Sequence, residues 1–176
     1  AGNNGVATID SLVKKETNAT IRAAVRSSEK AAELKAKFPA IETVLIDLDK
    51  AETLTAAYEG VTKVFMIPGN VEQREQHAKN AIDAAVKAGS VKQFLFYSVF
   101  GSEYESILFG KQFRAGEKYL EQSGLNWTHL RTIFFQDNFF GWAEGVKQGG
   151  LYFGIREGSL APLNVADIGE MAANVL

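Results

Sequence analysis

Apolar positions in this chain follow two rhythms that alternate from one end to the other. Val6, Ile9, Leu12 and Val13 recur at helical spacing, which predicts a helix over about Val6–Glu16. "ATIRAAV" is short and β-branched at its ends and reads as a strand. "SSEKAAELKAKF" follows as a helix with Ser27 or Ser28 as N-cap. "IETVLIDL" reads as a second strand, "KAETLTAAYEG" as a short helix that Gly60 ends, and "VTKVFMI" as a third strand broken by Pro68-Gly69. "VEQREQHAKNAIDAAVKAG" is a long amphipathic helix stopped by Gly89, and "VKQFLFYSV" a fourth strand. A helix over "LFGKQFRAGEKYLEQSG", a fifth strand over "NWTHLRTIFF" and a last helix, "VADIGEMAANVL", complete the pattern.

Most of these strands are apolar on both faces, and helices separate them. That combination predicts an α/β fold with a doubly wound parallel sheet, covered by helices on both sides. In such a sheet ligands bind in the crevice beyond the strand C-termini. Chemistry is therefore sought at the strand ends and at "GNNG", which opens the first helix.

Gly2 and Gly5 fit the second and third glycines of a G-x-x-G-x-x-G dinucleotide loop, where a helix N-terminus faces a pyrophosphate. Such a loop normally follows a buried strand, and none precedes it here. The sequence is accordingly expected to be an incomplete part of a longer chain, with that strand upstream. At the end of "IRAAV", where an acidic residue would grip a ribose 2′-hydroxyl, stands Arg26. A guanidinium there pairs with a 2′-phosphate, with Lys30 and the Ser27 and Ser28 hydroxyls within one turn. This favours NADP over NAD. Asp47, with Leu48 beside it, either accepts a hydrogen bond from an adenine amino group or serves as a turn residue. Pro68 and Gly69 form a side-chain-poor wall for a nucleotide, or a plain strand-to-helix turn.

Ser98 ends "FLFYS" and Lys111 lies in the following helix, so both are catalytic candidates. On sheets of this kind that carry hydride-transfer chemistry, such a pair works with a Tyr four residues before the Lys. That position is Ile107, which has no ionisable proton, and Tyr104 lies about two turns from Lys111. Lys111 retains the ability to hold a nicotinamide ribose. His129 sits inside an apolar strand and reads as a core residue, and His77 as part of a solvated helix face.

Composition narrows the classes further. With 176 residues, 46% hydrophobic and 23% charged, the chain suits one sizeable core. A net charge of −2 gives no basic footprint for direct nucleic-acid binding. No apolar run reaches the ~18 residues of a membrane span. The absence of cysteine rules out thiolate chemistry and cysteine-held metals, and no metal-ligand spacing surrounds the two histidines.

Taken together, "GNNG", "AAVRSSEKAAEL", "LIDLDKAETLTAAYEGVTKVFMIPG", "VKQFLFYSVFG", "GKQFRAGEKYLEQSGLNWTHLRTIFFQDNF" and "LAPLNVADIGEMAANVL" resemble the NmrA-like group of atypical short-chain dehydrogenases/reductases. The resemblance implies an NADP-binding Rossmann fold of strand order 3-2-1-4-5-6, lacking its first strand over 1–131. Residues 132–176 would hold its last elements and the start of a C-terminal lobe. It places Gly2, Asn3, Asn4 and Gly5 at the pyrophosphate and Arg26 at the 2′-phosphate. Lys111 falls near the nicotinamide ribose, and Thr132, Phe134 and Phe135 beside the nicotinamide. The run "IFFQDNFFGW" would line a cleft for a flat aromatic or quinone substrate. Members divide between redox-sensing regulators, which bind NADP(H) and act through a protein partner such as a transcription regulator, and NADPH-dependent quinone reductases. The missing acid at position 107 puts the regulator first and the reductase second. A cytoplasmic or nuclear location is expected, with no membrane contact.

Overall fold

A computed structural model describes residues 2–15, 18–104, 108–150 and 157–176. The first helix, α1, runs Asn3–Lys14, three residues ahead of its apolar pattern, because Val6 N already donates to Gly2 O. Periodicity marks where a helix is buried, not where its hydrogen bonds begin. Then come β1 (Arg22–Val25), α2 (Ser28–Lys37), β2 (Glu42–Leu45) and α3 (Ala51–Ala57). They lead to β3 (Lys63–Met66), α4 (Arg74–Ala88), β4 (Gln93–Val99) and a 3-10 turn, Ser102–Tyr104. The remainder is α5 (Leu108–Glu121), β5 (Trp127–Thr132), two short helices α6 (Asn138–Gly141) and α7 (Ala143–Lys147), and α8 (Val165–Val175). Ser27, not Ser28, caps α2, its hydroxyl accepting from Lys30 N at 3.3 Å. Gly89 ends α4 with φ 69°, a left-handed conformation that glycine adopts without a Cβ penalty.

All ladders are parallel. β1 pairs with β2 from Arg22↔Glu42 to Val25↔Leu45, and β4 lies between β3 and β5. The two groups, β2-β1 and β3-β4-β5, are the neighbours that the order 3-2-1-4-5-6 places on either side of its first strand. No ladder joins β1 to β3 among the described residues. Phe94, Leu95 and Phe96 of β4 are fully buried, since helices cover both of its faces. On one face Gly116 of α5 lets the helix approach: a Cβ there would stand 2.8 Å from the Phe96 ring and 3.1 Å from Ala78 of α4. A second core gathers Ile9, Val25, Leu34, Phe38 and Ile41 around β1.

The expected solvated position of His77 is corrected. It is buried on the core-facing side of α4 with Ala78, Ala81 and Ile82. A polar side chain can sit there because its ring nitrogen meets a carboxylate. Among the described residues no helix is long and apolar enough to cross a membrane.

Helices α1 and α8 cross closely at Gly169, where a Cβ would lie 2.5 Å from the Ala7 carbonyl carbon. Lys15 Nζ adds a bond to Ala173 O at 3.2 Å. Gly→Ala in a helix ordinarily gains about 1 kcal/mol. Gly169→Ala is expected to do the opposite and cost about 1–3 kcal/mol, because the clash is with backbone that cannot rotate away. Urea unfolding of the two proteins measures the sign.

Candidate functional site

The N-terminus of α1 opens into a cavity of about 360 Å³. Gly2, Asn3, Asn4 and Gly5 form one side, Ile67 at the end of β3 another, and Phe135, Asp137 and Asn138 after β5 a third. Val165, the first residue of α8, closes it. The structure thus brings Phe135 to the four loop residues singled out in the sequence. Ile67, Asp137, Asn138 and Val165 join them unannounced. Gly2 caps α1 without a side-chain hydrogen bond, and a Cβ on it would meet nothing within 4 Å. The first turn of α1 thus lines the cavity with little side-chain bulk at Gly2, and the first-turn N–H groups of a helix are the ones that bind an anion.

Asn4 presents a buried Oδ1 with no hydrogen-bond partner. Its side chain lies beside the Tyr97 hydroxyl, to which Thr132 Oγ1 donates at 2.8 Å. Burial pushes the Tyr97 phenol up, against the pull of Thr132 and Asn4. Thr132 is buried in this group at the end of β5. Phe134 turns instead to Trp142, stacked at 5.4 Å, and to the edge of Phe139 at 5.5 Å. Phe135 and Phe134 thus take different surroundings, cavity wall and aromatic cluster.

Arg26 is exposed directly after β1, beside the Ser27 cap, and has no ion-pair partner among the described residues. Lys30 is engaged by Glu33 at 2.5 Å. Asp47 Oδ1 accepts from Asp49 N at 3.1 Å, a bond that holds its carboxyl below the usual range. That bond braces the turn after β2, and the Asp47 side chain remains 43% exposed. Leu48 O accepts from Asn80 of α4 at 2.7 Å. Pro68 is buried, and Gly69 O accepts from Arg74 Nε at 3.1 Å. Arg74, which the sequence did not single out, is buried between the Phe109 and Phe113 rings, 4.7 Å from each centroid.

Ser98 and Lys111 do not come together. Lys111 is exposed on α5, and Ile107 lies outside the described residues. Ser98 is fully buried and donates to Glu117 Oε1 at 2.6 Å. The same carboxylate accepts from Arg131 through two nitrogens, both at 2.8 Å, from Arg114 at 2.9 Å and from Ser102 at 3.1 Å. Burial alone would raise the Glu117 pKa, but the bonds from Arg131, Ser98 and Arg114 outweigh it and bring it to about 2. This network locks α5 onto β4 and β5.

A second cavity, about 440 Å³, lies beside it, against Glu121, His129 and Trp127. His129 is only partly a core residue: its side chain is stacked on Trp127 at 4.4 Å with Nε2 3.2 Å from Glu121, but it lines this cavity and its Nδ1 has no partner among the described residues. Glu117, Glu121 and His129 present ligand atoms within 4.8 Å of one another. Arg131 and Arg114 grip both oxygens of Glu117, and Arg114 holds Glu121 at 2.6 Å, so a cation would have to displace guanidinium groups.

Known proteins share this architecture. The chain is 31% identical over 177 residues to an NAD(P)H azoreductase of Xenophilus azovorans, covering 98% of this chain and 61% of that protein. It is 30% identical to quinone oxidoreductase 2 of Escherichia coli, covering 99% and 61%. The chain therefore spans about three fifths of these curated relatives. The E. coli NADPH-dependent quinone oxidoreductase, solved with NADPH, superposes with a TM-score of 0.88 at 30% identity over 98% of this chain and 61% of that one. The triphenylmethane reductase of Citrobacter sp., complexed with NADP(H), gives 0.89 at 26% identity, covering 99% and 62%. NmrA, a negative transcriptional regulator, shares the fold at a TM-score of 0.64 and 19% identity over 75% of this chain and 44% of its own. The profile of a family described as NAD(P)H-binding matches residues 1–168, where the glycine-led α1, the strand ends and the start of α8 all fall, and the chain belongs to that family.

Proposed function

We propose that this chain is the cofactor-binding part of an NADPH-dependent reductase whose acceptor is a quinone or a similarly flat molecule. The observation that carries the reading is the cavity at the α1 N-terminus, with an aromatic wall at Phe135 and, at the end of β1, Arg26, exposed and without an ion-pair partner among the described residues. NADP(H) fits what is there. The side-chain-free cradle at Gly2 suits a diphosphate, the orphaned Asn4 Oδ1 suits a hydroxyl or amide donor, and Arg26 suits the 2′-phosphate.

In this reading the first-turn N–H groups of α1 hold the diphosphate. Asp47 and Leu48 border the adenine, and Pro68 and Gly69 the nucleotide's middle. Phe135 and the group around Thr132 shape the nicotinamide end, and Lys111 serves the ribose. Ser98 is retained only as part of the bracing network. Bound NADPH supplies a hydride. Reduction of a quinone then needs one further proton, Q + NADPH + H⁺ giving QH₂ + NADP⁺, and water can deliver it. The absence of a Tyr at position 107 is thus compatible with catalysis.

The order of the two readings is reversed from that suggested by the sequence. Two relatives near 30% identity that cover nearly the whole chain are reductases by name, whereas NmrA shares the fold alone. NADPH oxidation by the full-length protein with a panel of quinones, azo dyes and aldehydes tests the proposal. Turnover of about 1–10³ per second on a quinone is the expected result. Cofactor binding without turnover on any acceptor would overturn it in favour of the regulator.

A further inference from the structure

The loop after β2, which carries Asp47 and Leu48, is held from the other half of the sheet. His77 Nε2 of α4 stands 2.9 Å from Asp49 Oδ1. The His77 side chain is only 9% exposed, whereas that of Asp49 is 66% exposed. Asp49 in turn donates its backbone N–H to Asp47 Oδ1 at 3.1 Å. One turn further along α4, Asn80 Nδ2 donates to Leu48 O at 2.7 Å, and its own Oδ1 accepts from Gln76 at 2.8 Å. The imidazole is thus linked through one side chain and one peptide N–H to the Asp47 carboxylate. No strand ladder ties β2 to β3, β4 or β5 among the described residues, so these bonds tie the loop to α4 together with the apolar contacts of Val44, Ile46 and Leu48.

We propose that His77 and Asp49 form a positioning pair that sets the Asp47–Leu48 loop against the adenine of the cofactor. Neither residue touches the nucleotide. Asp49 orients the Asp47 carboxylate, and His77 holds Asp49. The inference rests on the reading of Asp47 and Leu48 as adenine neighbours. A loop held in the bound geometry before binding loses less freedom when the ligand arrives, which is a gain in affinity without a new contact.

Calorimetric titration of the full-length protein with 2′,5′-ADP, the adenine-bearing half, and with NMNH, the nicotinamide half, tests the pair. Asp49→Ala alters an exposed side chain and spares the core. It is expected to weaken 2′,5′-ADP about tenfold, the scale of one hydrogen bond to a charged group. NMNH affinity should stay the same, and Asp49→Asn, which keeps the Oδ1 acceptor, should restore 2′,5′-ADP binding. His77→Gln, with an amide N–H near the Nε2 position, should also bind 2′,5′-ADP more tightly than His77→Ala. A general loss of structure would weaken both halves alike and refute the pair. If Asp47→Ala weakens 2′,5′-ADP while Asp49→Ala does not, the pair is refuted and the adenine reading survives. If neither substitution changes 2′,5′-ADP binding, the adenine reading falls and the pair with it.

Discussion

Arg26→Ala is expected to weaken NADPH about 10–100-fold and leave NADH nearly unchanged, erasing most of the preference between them. The range follows from charge-assisted hydrogen bonds to a phosphate, each about 1.5–3 kcal/mol. Arg26 is suited to this because it stands exposed at a strand end with no ion-pair partner among the described residues. Its neighbours contribute less. Lys30 is already engaged by Glu33, and the Ser27 hydroxyl is occupied by capping α2. Arg26→Lys should retain part of the preference, since an ammonium keeps the charge but not the two-pronged geometry. Dissociation constants for NADPH and NADH across the three proteins decide the matter. An unchanged ratio in the Ala variant would remove the 2′-phosphate assignment.

Glu117→Gln should be the most damaging single change to stability, at about 3–5 kcal/mol, because it strips a buried anion from two guanidinium groups. For a domain whose whole stability is about 5–15 kcal/mol, that is a large share. The same carboxylate makes an acid signature. Its pKa falls from an ordinary 4.5 to about 2 in the folded chain. The unfolded chain therefore takes up the proton first as pH falls. The network's contribution is fully present above about pH 4.5 and is lost on descending towards pH 2, a total of about 3 kcal/mol. Urea midpoints measured through this window should decline in the native protein. They should decline less in Glu117→Gln, which has no carboxyl to protonate. Parallel declines would show that other groups govern acid sensitivity.

Much of the fold was legible because it is written in local pattern. Five apolar strands separated by amphipathic segments fix an α/β alternation, and Gly89 marked its helix end correctly. The short α6 and α7 were not foreseen, since "QDNFFGWAEGVK" carries aromatic residues at no clear period. At the strand ends, position along the chain was legible and the face was not. In β4, Phe94, Phe96 and Ser98 share one side of the strand, the side under α5, so Ser98 meets Glu117 and not the cleft. Position along a strand is visible in sequence; which sheet face a helix will cover is a tertiary outcome. Arg74 and His77 escaped for a related reason, being polar groups buried by partners remote in sequence. Val165 lies some 160 positions from Gly5, and nothing in either segment names the other.

That last pairing bears on how the molecule is made. Because one wall of the cavity is built near residue 4 and another near residue 165, a nascent chain carries its glycine turn without a finished pocket until residues near 165 have emerged. The nucleotide can act as a template only after α8 has emerged and docked on α1. Ligand rescue of a slow-folding variant would then begin only once that helix has docked.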